Sequence, residues 1–179
     1  FYYITTINEN YTHPEMPKDC EEGIIKGMYV LSDNESYDVR LLGSGAILRE
    51  ALKAKDILFK FKIKAQVWSV TSFNLLRKDG MEIERYNQLN PSGKQKLTYV
   101  EECFSDSNVP VIAATDYMRS YAEQIRPYIH SSYTTLGTDG YGRSDSRQTL
   151  RDFFEVDSKS IARAATVSYT HLTLPTRLM

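Results

Sequence analysis

The chain has 179 residues, 41% of them hydrophobic and 25% charged, enough for one domain around a sizeable core with a little left over. Its 22 basic and 23 acidic residues leave a formal net charge of -1, which offers no phosphate-neutralising surplus and argues against nucleic acid as a partner. No apolar run approaches the length a bilayer requires and no signal peptide is recognised at the start, so a soluble, cytoplasmic protein without membrane contact is expected.

Phe1 to Ile7 is a run of β-branched and aromatic residues that reads as a buried strand, an odd beginning that suggests a fragment. Asn8 to Pro17 is polar and interrupted by Pro14 and Pro17, which lack an amide donor, so it reads as a connector. A short amphipathic helix is expected over Glu21–Lys26, a brief strand over Met28–Leu31 and a surface turn over Asp33–Ser36. Val39–Leu42 then reads as a strand and Gly43-Ser44-Gly45 as a tight turn. The next helix, from Ile47 to about Phe59, stacks Ile47, Ala51, Ala54 and Leu58 on one face. Ala65–Val70 is a further strand, followed by a helix from Ser72 that is expected to break near Asp79-Gly80. Val109–Ala114 is an apolar run of the kind that suits a strand covered on both faces. Over Thr115–Arg126 the spacing of Met118, Tyr121, Ala122 and Ile125 predicts a helix ended by Pro127. Thr134–Leu136 is a last short strand, Gly137–Ser144 a Gly-rich loop, and Ser146–Phe154 a helix. Strand and helix in alternation predict a three-layer α/β domain: a mostly parallel sheet with helices on both faces.

Candidate chemistry is sparse. Gly43-Ser44-Gly45 begins as dinucleotide sites begin, but the third glycine position holds Leu48 and the next strand ends Val70-Thr71 without a ribose-binding acid. A tight strand-to-helix turn is the favoured reading. The stretch Asp139 to Arg147 (DGYGRSDSR) is the most distinctive, and Asp145 with Gln148 resembles a capping box. Arg143 could grip a carboxylate or phosphate, but a capped loop whose charges meet another domain or subunit is favoured. His13, His130 and His171 have no partner at metal or triad spacing, and Cys20 and Cys103 read as two free thiols. No catalytic, cofactor-binding or metal-ligating residue is assigned.

Several longer segments carry a resemblance: Tyr2 to Tyr11 (YYITTINENY), Glu21-Glu22-Gly23-Ile24, Leu41 to Gly45 (LLGSG), Ser69 to Phe73 (SVTSF), Thr115 to Met118 (TDYM) and Leu136 to Arg147 (LGTDGYGRSDSR). In this order they resemble the homodimeric pyruvate dehydrogenase decarboxylases, from Phe1 to about Ala165. The resemblance implies that residues 1–17 end a pyrimidine-binding domain and its linker, and that residues 18–165 are a transketolase-like C-terminal domain. It further implies thiamine diphosphate and Mg²⁺ as cofactors of the whole enzyme, held by earlier domains, and transfer of an acetyl unit to a lipoyl-bearing dihydrolipoamide acetyltransferase. The chain itself would support a homodimer, with Asn8, Asn10, Asp139, Arg143 and Asp145 as inter-domain or dimer contacts. Transketolase and a stand-alone anion-binding module are the rival readings. Residues 166–179 match nothing in the family and resemble translated sequencing-adapter DNA, so that tail is expected to pack poorly.

Overall fold

The computed structural model describes residues 3–6, 10–33, 36–104 and 108–173, with side chains as far as His171. Its five strands are β1 (Met28–Ser32), β2 (Val39–Ser44), β3 (Ala65–Val70), β4 (Val111–Ala114) and β5 (Tyr133–Leu136). They form one sheet in the order β1-β3-β2-β4-β5, in which β2 to β5 run parallel and β1 lies antiparallel to β3. The helices are α1 (Glu21–Lys26), α2 (Leu48–Lys60), α3 (Phe73–Leu89), α4 (Tyr99–Phe104), α5 (Arg119–Glu123), α6 (Arg147–Phe153) and α7 (Ser158–Thr173).

Alternation along the strands divides the core in two, because successive side chains leave a strand on opposite faces. Val39, Leu41, Val67, Ile112 and Ala114 pack beneath Ala51, Ala54 and Leu58 of α2 and Ile161 and Ala165 of α7. Leu42, Trp68, Val70 and Ala113 point the other way, toward Phe73 and Leu76 of α3, Val100 and Phe104 of α4, and Ala122 of α5. Every residue of β2, β3 and β4 is buried, as a sheet covered on both sides demands. The expected three-layer architecture is therefore present. Among the described residues no helix is long and apolar enough to cross a membrane.

Several local expectations are corrected. α3 does not break at Gly80 but runs through it, because Gly80 is the seat for the Tyr128 ring: a Cβ there would lie 2.1 Å from Tyr128 Cζ. The helix expected over Thr115–Arg126 shrinks to α5, followed by a 3-10 turn over Arg126–Tyr128. One local and one tertiary bond hold the missing first turn open: Tyr117 donates its N–H to Thr115 Oγ1 at 3.2 Å, and Thr138 donates its N–H to the Tyr117 carbonyl at 2.9 Å. Gly43 and Ser44 belong to β2, and the turn itself is the 3-10 segment Gly45–Ile47. α6 is capped not by Asp145 but by Ser146, whose hydroxyl accepts the Thr149 N–H at 3.2 Å. Tyr3 and Ile4 are 90% and 79% exposed and residues 3–6 join no strand, so that part of the opening segment is not a buried strand; Phe1, Tyr2 and Ile7 lie outside the described residues.

The tail also departs from expectation. α7 continues through Thr173, Ser168 is buried and Tyr169 packs against the core beneath α2. Ile161, Ala165, Ser168 and Tyr169 share one helical face, so α7, which the sequence reading does not assign, carries on past Ala165 where the resemblance ends. Extending an existing helix costs far less than starting one. Residues 174–179 lie outside the described set.

α4 was not anticipated at all, although Thr98-x-x-Glu101 is a capping-box pattern. Thr98 donates its N–H to Glu101 Oε2 at 2.7 Å, and Glu101 returns its N–H to Thr98 Oγ1 at 3.2 Å. Burial raises the Glu101 carboxyl, but the bonds from Thr98 and His130 outweigh it and the carboxyl ends below its ordinary value of 4.5. A depressed carboxyl stabilises the fold above its unfolded value, and that contribution is lost as pH falls through the folded one. Glu101→Gln should therefore unfold at lower urea than the parent at pH 7, and the gap should narrow at pH 3.

Candidate functional site

β2 feeds α2 and then β3 on one side, whereas the chain returns to β4 on the other side of β2. The connections leaving the carboxyl ends of β2 and β4 thus part company, and open α/β sheets bind ligands at such switch points. A groove of about 540 Å³ lies there. Its residues come from the segments after three parallel strands: Ala46 and Ile47 after β2, Asp116 after β4, and Thr138 with the Gly140–Arg143 loop after β5. Arg147, Leu150 and Arg151 of α6, with Phe154 and Val156 beyond it, complete the wall.

Several of the polar side chains have a traceable support. Ser44 donates its hydroxyl to Thr115 Oγ1 at 2.9 Å, tying the ends of β2 and β4 together beneath the groove. The Thr138 hydroxyl donates to the Asp116 carbonyl, joining the β4 and β5 connections. Gly45 has φ +54, and a Cβ on it would lie 3.5 Å from Asp116 Oδ1, so the carboxylate sits over the β2–α2 turn. Asp116 is open to water on one side, yet the surrounding walls push its carboxyl above the ordinary value; its own backbone N–H and Arg151 act the other way. Arg151 Nη1 lies 3.6 Å from Glu50 Oε1, and Arg143 Cζ lies over the Phe153 ring, 4.2 Å from its centre.

The two stretches that the sequence set apart, the Gly43-Ser44-Gly45 segment and the Asp139–Arg147 loop, meet here. Asp139, although exposed, is engaged within the chain: its Oδ1 accepts the Arg119 N–H at 2.9 Å at the start of α5. Asp145 Oδ1 accepts the adjacent Ser146 N–H at 2.6 Å. Arg143 lines the groove, Asn10 is exposed on the connector, and Asn8 lies outside the described residues. Sequence reading gives no role to Asp116, Arg147 or Arg151, although Asp116 and Arg147 lie in stretches it sets apart; the switch point that unites them exists only in the strand order. Among the described residues no three His, Cys, Asp or Glu side chains stand together as a metal site.

Residues 27–157 match the model of the transketolase-like TK C-terminal domain. The chain belongs to that family. It is 57% identical over 170 residues to the pyruvate dehydrogenase E1 component of Pseudomonas aeruginosa and 48% identical over 169 residues to that of Escherichia coli K12. Each match covers 92% of this chain but only 19% of the relative, so the chain spans about a fifth of the length of the curated proteins it matches. Among solved structures, a transketolase mutant from Pichia stipitis superposes with a TM-score of 0.59 at 19% identity, covering 85% of this chain and 19% of that one. A transketolase from Leishmania mexicana gives 0.59 at 20% identity, covering 86% and 20%. Both establish a shared fold, and at that identity nothing more.

Proposed function

We propose that the chain supplies the transketolase-like C-terminal domain of a pyruvate dehydrogenase decarboxylase component, bracing the active site and the subunit interface without entering the chemistry. The observation that carries this reading is the 57% identity over 170 residues to a pyruvate dehydrogenase E1 component, against 19–20% to transketolases of the same fold. The whole enzyme would be a cytoplasmic homodimer that decarboxylates pyruvate and hands the acetyl unit to a lipoyl-bearing dihydrolipoamide acetyltransferase. Thiamine diphosphate would supply the carbanion chemistry and Mg²⁺ would anchor its diphosphate. The residues described here do not fit that pair. Mg²⁺ wants a near-octahedral set of oxygens, whereas Asp116 is the single carboxylate lining a groove that also holds three arginines. We therefore assign the cofactor to the part of the relatives that this chain does not span, with residues 1–17 as the end of a pyrimidine-binding domain and its linker, 18–165 as the transketolase-like domain and 166–179 as a tail the family does not match.

The interface in this reading centres on Asn8, Asn10 and the tip of the Gly137–Ser144 loop, where Tyr141 is 96% exposed. Asp139 and Asp145 serve it indirectly, by shaping the loop from which Arg143 projects. The test is a chimera. Residues 1–165 placed in the Pseudomonas aeruginosa component should yield a protein that still decarboxylates pyruvate, and calorimetry of the 179-residue chain alone with thiamine diphosphate and Mg²⁺ should show no binding. A folded but inactive chimera, or tight cofactor binding by this chain alone, would overturn the proposal.

A further inference from the structure

We propose that the carboxyl end of α2 docks a separate protein through an acidic segment that carries apolar side chains. Phe59 and Phe61 are its anchors, and Lys60 and Lys62 supply the charge that recognises it. This knuckle lies at the amino ends of the parallel strands, opposite the groove, and the inference goes beyond the function proposed above.

Three observations converge on it. The first is apolar surface left in water. Phe59 and Phe61 are 72% and 70% exposed, whereas the neighbouring Leu58 and Ile63 are buried. A single exposed apolar residue needs no explanation, but two large rings two positions apart, rimmed by cations, have the make-up of an anchor pair. The second is charge. Lys60, Lys62 and Lys64 alternate with Phe59, Phe61 and Ile63, all three lysines are exposed, and no acid stands within residues 57–64. Among the described residues no hydrogen bond or ion pair engages the amines of Lys60 and Lys62. Lys64 Nζ donates to Ser36 Oγ at 2.9 Å, and Lys55, one turn before Phe59, donates to Ser32 Oγ. Two carboxylates stand near: Asp56, exposed one turn back on α2, and Asp38, whose Oδ2 accepts the Lys64 N–H at 2.8 Å. The balance at the knuckle is positive.

The third observation is backbone strain. α2 ends by reversing at Lys62, whose φ is +63, in the left-handed region that favours glycine. Lys62 donates its N–H to the Phe59 carbonyl at 3.0 Å, and Ile63 donates its N–H to the Leu58 carbonyl at 3.1 Å. Glycine would make this turn with less strain, and no bond from the lysine amine to the described residues offsets it. The helix dipole favours a cation at this end, but it accounts for neither ring nor for lysine in the glycine position. A strained residue without an internal partner points to a partner outside.

The occupant follows from the chemistry. Apolar rings rimmed by amines are matched by apolar side chains interleaved with carboxylates. A second copy would set lysine against lysine, because the common symmetric contact places a patch against itself. The rest of the parent enzyme would bury these amines permanently, and lysine is depleted at interface cores. An anionic bilayer would be held only marginally by two rings, since even one myristoyl chain binds weakly and reversibly. A separate, reversible partner leaves the amines at a wet rim.

The probes are a peptide alternating glutamate with leucine, its glutamate–serine and lysine–leucine counterparts, and phosphatidylglycerol vesicles, each titrated with the 179-residue chain. The glutamate–leucine peptide should bind at least about tenfold more tightly than either counterpart, because it alone offers both charge and apolar contact. Phe59→Ser/Phe61→Ser and Lys60→Gln/Lys62→Gln, all exposed positions with little fold to lose, should each weaken that binding about tenfold. Arg77→Gln/Lys78→Gln removes the same charge from α3, on the other face of the sheet, and should leave it unchanged. Lys62→Gly is the sharpest case: the urea midpoint should rise as the strain goes, while binding falls about threefold. Circular dichroism confirms that each variant is folded. No binding of the glutamate–leucine peptide, no preference for it, equal weakening by the α3 pair, or parental binding by Lys62→Gly would each overturn the inference. So would vesicles that displace the peptide, in favour of a membrane, or self-association that blocks it, in favour of a second copy.

Discussion

Gly80→Ala will lower the stability of the chain by about 1–2 kcal/mol, read as a lower urea midpoint with an unchanged slope. The sign is the informative part. Inside a helix alanine is favoured over glycine by about 1 kcal/mol, and Gly80 sits in the middle of the 17-residue α3. Propensity alone therefore predicts stabilisation. Against it stands the Tyr128 ring, whose Cζ, Cε2 and Oη would lie 2.1, 2.2 and 2.6 Å from the new Cβ. Tyr128 is 5% exposed and anchored in the 3-10 turn that contains Pro127, so its ring cannot slide aside within the packed cluster of Phe73, Leu76 and Ile125. It must leave, and evicting a buried aromatic costs about 2–3 kcal/mol, more than the helix gains. A second variant isolates the cause. With Tyr128→Ala already in place, Gly80→Ala should become neutral or stabilising, since the clash is gone and only propensity remains. If the substitution destabilises equally in both backgrounds, the Tyr128 contact is not what keeps glycine there.

The same residue shows why some of the fold could be read from sequence and some could not. The layers were legible because burial on both faces leaves continuous apolar runs such as Val109–Ala114, which contains β4, and because Ala51, Ala54 and Leu58 repeat at the helical period. Gly80 was misread as a breaker because its reason lies in a residue on another element. The first turn of the helix expected from Thr115 was lost for a like reason: its backbone is spoken for by Thr138, from the far side of β5. α4 was legible after all, in Thr98-x-x-Glu101, and was overlooked. The candidate site was legible only in halves. The β2–α2 turn and the glycine loop each stood out, but their meeting depends on the order in which parallel strands join the sheet, and local pattern does not encode that order.

The wall that carries Arg151 depends in turn on one buried acid, and Glu50→Ala should cost about 3 kcal/mol in urea unfolding. Glu50 is 5% exposed on the first turn of α2. Its Oε2 accepts the Ser158 N–H at 3.1 Å, satisfying a donor at the start of α7, and its Oε1 faces Arg151 of α6 at 3.6 Å. One carboxylate thus joins three helices, two of them far along the chain. Lys53 adds little, because its side chain is 63% exposed and water screens the pair. Arg151 is different: its side chain is 16% exposed, so water screens its pairing with Glu50 far less than that of Lys53. Glu50→Gln separates the two roles. The amide oxygen can still accept from Ser158 while the charge is lost, so this variant should be destabilised by roughly half as much and should keep slow hydrogen exchange at the Ser158 amide. Glu50→Ala should lose both stability and that protection. Were the alanine variant to unfold at the parent's urea midpoint, the contact among α2, α6 and α7 would not be holding the groove wall in place.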